Sequence, residues 1–137
     1  MMSHSHRNSH HSDYAARLMC RARKYDHVTH LFRDLHWLRV PERIQFRLAV
    51  LAFCCRNHKA PSYLADEAES RHRLRSGSCP RLIVPRTRLS TIGVRSFRVT
   101  VARAWNSLPT SITALTSLPS FKRQLKTFLF NKSFPSV

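Results

Sequence analysis

Acidic residues are scarce in this 137-residue chain and stop altogether at Glu69. Asp13, Asp26, Asp34, Glu42, Asp66, Glu67 and Glu69 are all seven, and no two aspartates are adjacent. Long apolar runs are missing too: nothing approaches the roughly 18 residues of a membrane span, and the opening MMSHSHRNSHHS has no apolar signal-peptide core. The expectation is a chain inside the cell, nuclear or cytoplasmic, with no membrane partner. Paired metal-ligand spacings are also absent. Cys54, Cys55 and His58 are followed only by lone His72 and Cys79, unlike the short repeated spacings of zinc fingers, so neither a metal nor any other cofactor is expected. Asp26, His27 and His30 have no nucleophile spaced to meet them and read as capping and surface residues.

What the chain has in excess is arginine. Lys plus Arg number 24, for a formal net charge of +17. Residues 1–69 hold eleven bases against seven acids, or +4, while residues 70–137 hold thirteen bases and no acid, or +13. Nineteen of the bases are Arg, whose planar fork grips phosphate through two donors and stacks on bases, so the implied partner is a nucleic acid. With 42% hydrophobic residues the chain also has material for a modest core, which argues against wholesale disorder.

Periodicity predicts a mainly α chain: a small helical domain with an irregular Arg-rich middle containing one or two short strands. Residues 1–12, rich in Ser and in His4, His6, His10 and His11, read as a disordered tail with at most weak metal affinity. Asp13 is a candidate N-cap for a helix over 13–24 whose apolar face is Ala15, Leu18, Met19 and Ala22. Thr29 begins a helix to 38 with Leu31, Leu35 and Leu38 on one face. Pro41 in a first turn begins a long one to 56 through Ile44, Leu48, Leu51 and Cys55. Leu82, Ile83 and Val84 suggest a short strand, residues 91–101 fit a strand or a helix equally, and Phe121, Leu125, Phe128 and Leu129 mark a final helix over 119–130. Residues 131–137 read as a disordered C-terminus. Trp37, Ile44, Leu48, Leu51, Trp105, Leu125 and Leu129 are the expected core, with both Trp side chains as anchors rather than base-stacking platforms.

Seven strings, in this order, carry a resemblance: AARLMCRARKYDHVTHLFRDLHWLRV (15–40), RIQFRLAVLAF (43–53), APSYLAD (60–66), LRS (74–76), VPRTRLSTIG (84–93), RSFRVTVARAWNSLP (95–109) and SFKRQLKTFLF (120–130). Together they resemble the region downstream of the polymerase palm in non-LTR, LINE-type retrotransposon reverse transcriptases, the Jockey-like and related clades, across residues 13–130. Asn57-His58-Lys59 replaces a Gly-containing turn usual in that pattern, and Val94 stands where an acid is common after Gly93. The resemblance implies a thumb-like, post-palm piece of an RNA-directed DNA polymerase. Its palm carboxylates and endonuclease region have no counterpart here, so no catalysis is expected.

Arg71, Arg73, Arg75, Arg81, Arg86, Arg88, Arg95, Arg98 and Arg103 fall within 33 residues that contain no acid. A solvated face ordinarily mixes the signs, so this span is the candidate surface for non-specific RNA or single-stranded DNA, with no small-molecule substrate implied. The alternative is a transposable-element-derived relic open reading frame with no selected biochemical role.

Overall fold

The computed structural model describes residues 3–64, 81, 82, 84, 86 and 96–135. Six helices account for most of them: α1 (Ser3–Met19), α2 (Val28–Asp34), α3 (Val40–Arg56), α4 (Phe97–Asn106), α5 (Thr110–Thr113) and α6 (Leu118–Ser133). The chain is thus mainly α, and no strand occurs among the described residues. Leu82 and Val84, expected in a strand, lie in irregular chain, whereas Phe97–Val101 are helical. Ser96 decides the latter: its backbone is extended and its Oγ accepts from the Val99 N–H at 3.5 Å, an N-cap that starts a helix in spite of the β-branched residues beyond it.

Both ends are more ordered than the sequence reading allowed. Residues 3–12 are helical rather than a disordered tail, and Asp13 lies inside α1 instead of capping it. No Gly or Pro interrupts that stretch, and Ser12 is buried, its hydroxyl accepting a hydrogen bond from the Arg43 guanidinium. At the other end α6 continues to Ser133 and Phe134 is buried, so residues 131–135 are not a loose tail either.

Three helices stop in the same way without a glycine. The chain's two glycines, Gly77 and Gly93, lie outside the described residues. Instead Arg21, His36 and His58 adopt left-handed φ of 51°, 51° and 52° just past α1, α2 and α3. The next amide then reaches back over a turn: Ala22 N–H to Arg17 O at 2.9 Å, Trp37 N–H to Phe32 O at 2.8 Å, Lys59 N–H to Cys54 O at 2.8 Å. These six-to-one bonds satisfy carbonyls that a helix end leaves orphaned. A side chain with a Cβ is disfavoured in this conformation by about 1–2 kcal/mol, so each stop carries strain.

The chain divides into two compact units, Met1–Ile44 with Lys126–Val137, and Gln45–Leu125. The first is built on Ala16, Leu31, Phe32 and Phe134, with Cys20, Ala22, Val28, Leu35, Trp37 and Phe130 packed against them. The buried face of α1 is Ser12 and Ala16, with Cys20 half-buried beyond them. Leu18 and Met19, expected inside, are exposed. Small side chains at i, i+4 and i+8 permit close approach to Leu31 and Phe32 of α2, which the bulkier Leu and Met would prevent. Around the C-terminal end, Phe130 stacks on the His36 ring at 5.3 Å, and the Arg33 and Arg39 guanidinium groups lie 5.9 and 5.1 Å from the Phe134 ring centre.

The second unit centres on three stacked rings. Phe121 lies 4.5 Å from Phe53 and 5.8 Å from Trp105, all three essentially inaccessible to solvent, with Val99, Val101 and Leu125 equally buried. The inward face of α3 is Ala49, Ala52, Phe53 and Cys55. Of the expected core, Trp105, Leu125 and Leu129 are buried, Trp37, Leu48 and Leu51 are half-buried, and Ile44 is 49% exposed. From Leu48 to Cys55 the helix is apolar on every side, so its period left several faces equivalent there. The alanines bring its backbone close enough for Phe53 to meet Phe121.

Candidate nucleic-acid interface

The candidate surface belongs to the second unit. Of the nine arginines, Arg81, Arg86, Arg98 and Arg103 are described and all four are exposed. Arg71, Arg73, Arg75, Arg88 and Arg95 lie outside the described residues. Arg98 and Arg103 stand on α4 and are exposed, although Val99, Val101, Ala102, Ala104 and Trp105 of the same helix are buried. Arg81 and Arg86 lie in irregular chain, and a side chain hydrogen-bonds the backbone of Leu82, next to Arg81.

That side chain is Asn106. Its Oδ1 accepts from the Leu82 N–H at 2.8 Å and its Nδ2 donates to the Leu82 carbonyl at 2.7 Å. One amide side chain thus satisfies both backbone groups of Leu82, as a neighbouring strand would. Asn106 is held in turn by its neighbours. Trp105 is 1% exposed, and the Ser107 hydroxyl donates to the Ala104 carbonyl at 2.7 Å while accepting from Gln45 Nε2 of α3 at 2.8 Å. Leu108 is buried, and Pro109 supplies the N-cap residue of α5. The run WNSLP divides its work: Trp105 fills the core, Asn106 clamps residue 82, Ser107 ties α4 to α3, and Leu108 is buried. An Asn between a core Trp and a helix-starting Pro was the available signal, but its partner is 24 residues away.

Burial of Trp105 rules it out as a base-stacking platform, and the Arg56 guanidinium lies 5.3 Å from its ring centre. Half-buried Trp37 packs near Phe32, with ring centres 6.3 Å apart. Asp26 directs its Oδ2 to the Arg23 N–H at 2.7 Å, and His27 and His30 are exposed, with His27 supplying the N-cap residue of α2 but no side-chain cap bond. Cys55 is buried with its thiol directed at the Leu64 carbonyl, 3.5 Å away. Burial, and then the charge that Cys54 would carry, push the Cys55 thiol above its ordinary pKa, which favours an inert core thiol. Among the described residues no three His, Cys, Asp or Glu side chains converge as a metal site, and no helix is long and apolar enough to cross a membrane.

No family model matches this chain, and no curated protein or solved structure matches it.

Proposed function

We propose that this chain is a non-catalytic, post-palm C-terminal region of a LINE-type retrotransposon RNA-directed DNA polymerase that binds RNA and single-stranded DNA without sequence preference through Arg71–Arg103. The observation that carries the binding half of the reading is the uniform exposure of Arg81, Arg86, Arg98 and Arg103 in a half-chain that contains no acid. Such a surface neutralises phosphates and releases counterions, an interaction blind to base identity. The family half rests on the ordered strings and is supported by His58. The resemblance puts a glycine in the turn at 57–59, and the backbone there has the left-handed φ that glycine favours.

Neither a membrane nor a small-molecule substrate belongs to the proposal, and the expected setting is the nucleus or cytoplasm. Anisotropy titrations of labelled oligonucleotides across a salt series test it. Neutralising roughly six phosphates gives a log–log slope of about −4 on single strands, at about −0.7 per phosphate. Replacing Arg71, Arg73, Arg75, Arg86 and Arg88 by Gln flattens the slope and weakens all sequences alike. Affinity indifferent to salt, or equal in this variant, overturns the binding role.

A further inference from the structure

We infer that α1 and the turn after it form a second, separate binding groove for single-stranded nucleic acid, in which Tyr14 stacks on a base while Arg21 and Lys24 meet the phosphates. The inference rests on the nucleic-acid reading above but places a site in the first unit, outside the Arg71–Arg103 span.

The groove is lined by His10, His11, Tyr14, Arg17, Arg21 and Lys24, together with Leu18, Ala22 and one acid, Asp13. Three permanent cations thus face one carboxylate. The Tyr14 and Leu18 side chains are 69% and 68% exposed, although α1 has a buried face available and fills it with Ser12 and Ala16 instead. An aromatic ring presented to water among cations is the arrangement that single-strand binders use, because every base offers a face to stack on and the backbone tracks the positive charge.

The turn is held ready. Arg21 sits in the left-handed region, the Ala22 N–H closes on Arg17 O, Asp26 Oδ2 accepts from the Arg23 N–H, and Arg17 Nη2 donates to the Asp26 carbonyl at 3.3 Å. Arg21 and Lys24 therefore project from a turn braced by these hydrogen bonds, which lowers the ordering entropy that binding must offset.

Size and layout select the occupant. At about 1140 Å³ and open to solvent, the groove exceeds the roughly 300–1,000 Å³ of enclosed small-molecule sites and suits a passing chain. A lipid surface fits poorly, since the cations line the same groove as Tyr14 and Leu18 instead of flanking an apolar face, and insertion would carry the charges into the acyl region. A duplex hides the base faces that Tyr14 would contact.

The test measures binding of the full chain to labelled oligo(dT) and to an abasic strand of equal length and charge. Tyr14→Ala weakens oligo(dT) binding about five- to hundredfold, the loss of one base stack, and leaves the abasic strand unaffected. Arg21→Gly combined with Lys24→Gln weakens both strands and reduces the salt slope by about 1.4. Glycine relieves the left-handed backbone at position 21, so this loss does not reflect a damaged fold. If both groove variants bind like the parent while the Arg71–Arg88 Gln variant fails, the groove is refuted and the proposed function stands. If the parent binds neither strand, both fall. Binding to phosphatidylserine vesicles that Tyr14→Ala weakens, with oligo(dT) affinity unchanged, also refutes the groove as a nucleic-acid site.

Discussion

Replacing His58 by glycine should stabilise the protein, whereas the same replacement at His36 should not, although both residues have nearly the same φ. At each site the Cβ in the left-handed region costs about 1–2 kcal/mol. Glycine removes that strain but gives up roughly 0.4–1 kcal/mol by loosening the unfolded chain. The net gain from backbone terms alone is about 0.5–1 kcal/mol. His58 is exposed, so its removal leaves that gain intact. The His36 ring is stacked on Phe130 at 5.3 Å and 7° between planes, a contact worth about 0.5–1.5 kcal/mol, which cancels or reverses the gain. Thermal unfolding followed by circular dichroism reads the difference: His58→Gly raises Tm by about 2–4 °C, scaled from the usual shift per kcal/mol for a domain of this size. His36→Gly leaves Tm unchanged or lowers it. His58→Ala is the control, since it keeps the Cβ and brings no gain. A Tm lowered by His58→Gly, or equal gains at both positions, would refute the assignment of strain to these helix stops.

Asn106→Ala should release the chain at residue 82. The two lost hydrogen bonds amount to about 1–3 kcal/mol, read locally as faster hydrogen exchange of the Leu82 amide, while Asn106→Asp should be worse than Ala because a carboxylate then faces the Leu82 carbonyl. An unchanged Leu82 exchange rate in both variants would show that the clamp does not hold the segment. Cys55 predicts an alkaline limit. A thiol whose pKa is raised by folding holds its proton more tightly in the native state, so its contribution to stability is intact below the ordinary thiol value near 8.5 and is lost as pH rises through the raised value. Urea midpoints from pH 7 to 10 should fall less steeply in Cys55→Ala than in the parent, and an equal fall assigns the loss to other groups.

Helical class, the long α3 beginning beside Pro41, and the last helix with Phe121, Leu125 and Leu129 inward were all legible from apolar spacing, because an amphipathic stripe states both its period and its buried side. Where the stripe was ambiguous, spacing failed. In α1 the bulky Leu18 and Met19 outweighed Ala16 as hydrophobes, yet Ala16 is the buried one, since closeness to Leu31 and Phe32 selects for small size. In α3 the uniformly apolar stretch Leu48–Cys55 concealed that Ala49, Ala52 and Phe53 face inward, and Ile44, among Arg43, Gln45 and Arg47, is exposed. The ends were misread for a related reason: Ser12 bonding to Arg43, and Phe134 beneath Arg33 and Arg39, join residues far apart in the chain.

The sequence by itself determined the sign and asymmetry of the charge, the absence of paired aspartates, and the approximate limits of α3 and α6, because these depend on residue identity and on spacing within a few turns. The tertiary structure alone decided that Asn106 grips Leu82, that Tyr14 is left exposed, and that Arg21, His36 and His58 take the place of glycines. Each of these outcomes depends on which surfaces meet, and that follows from the shape of residues brought together by folding rather than from their order along the chain.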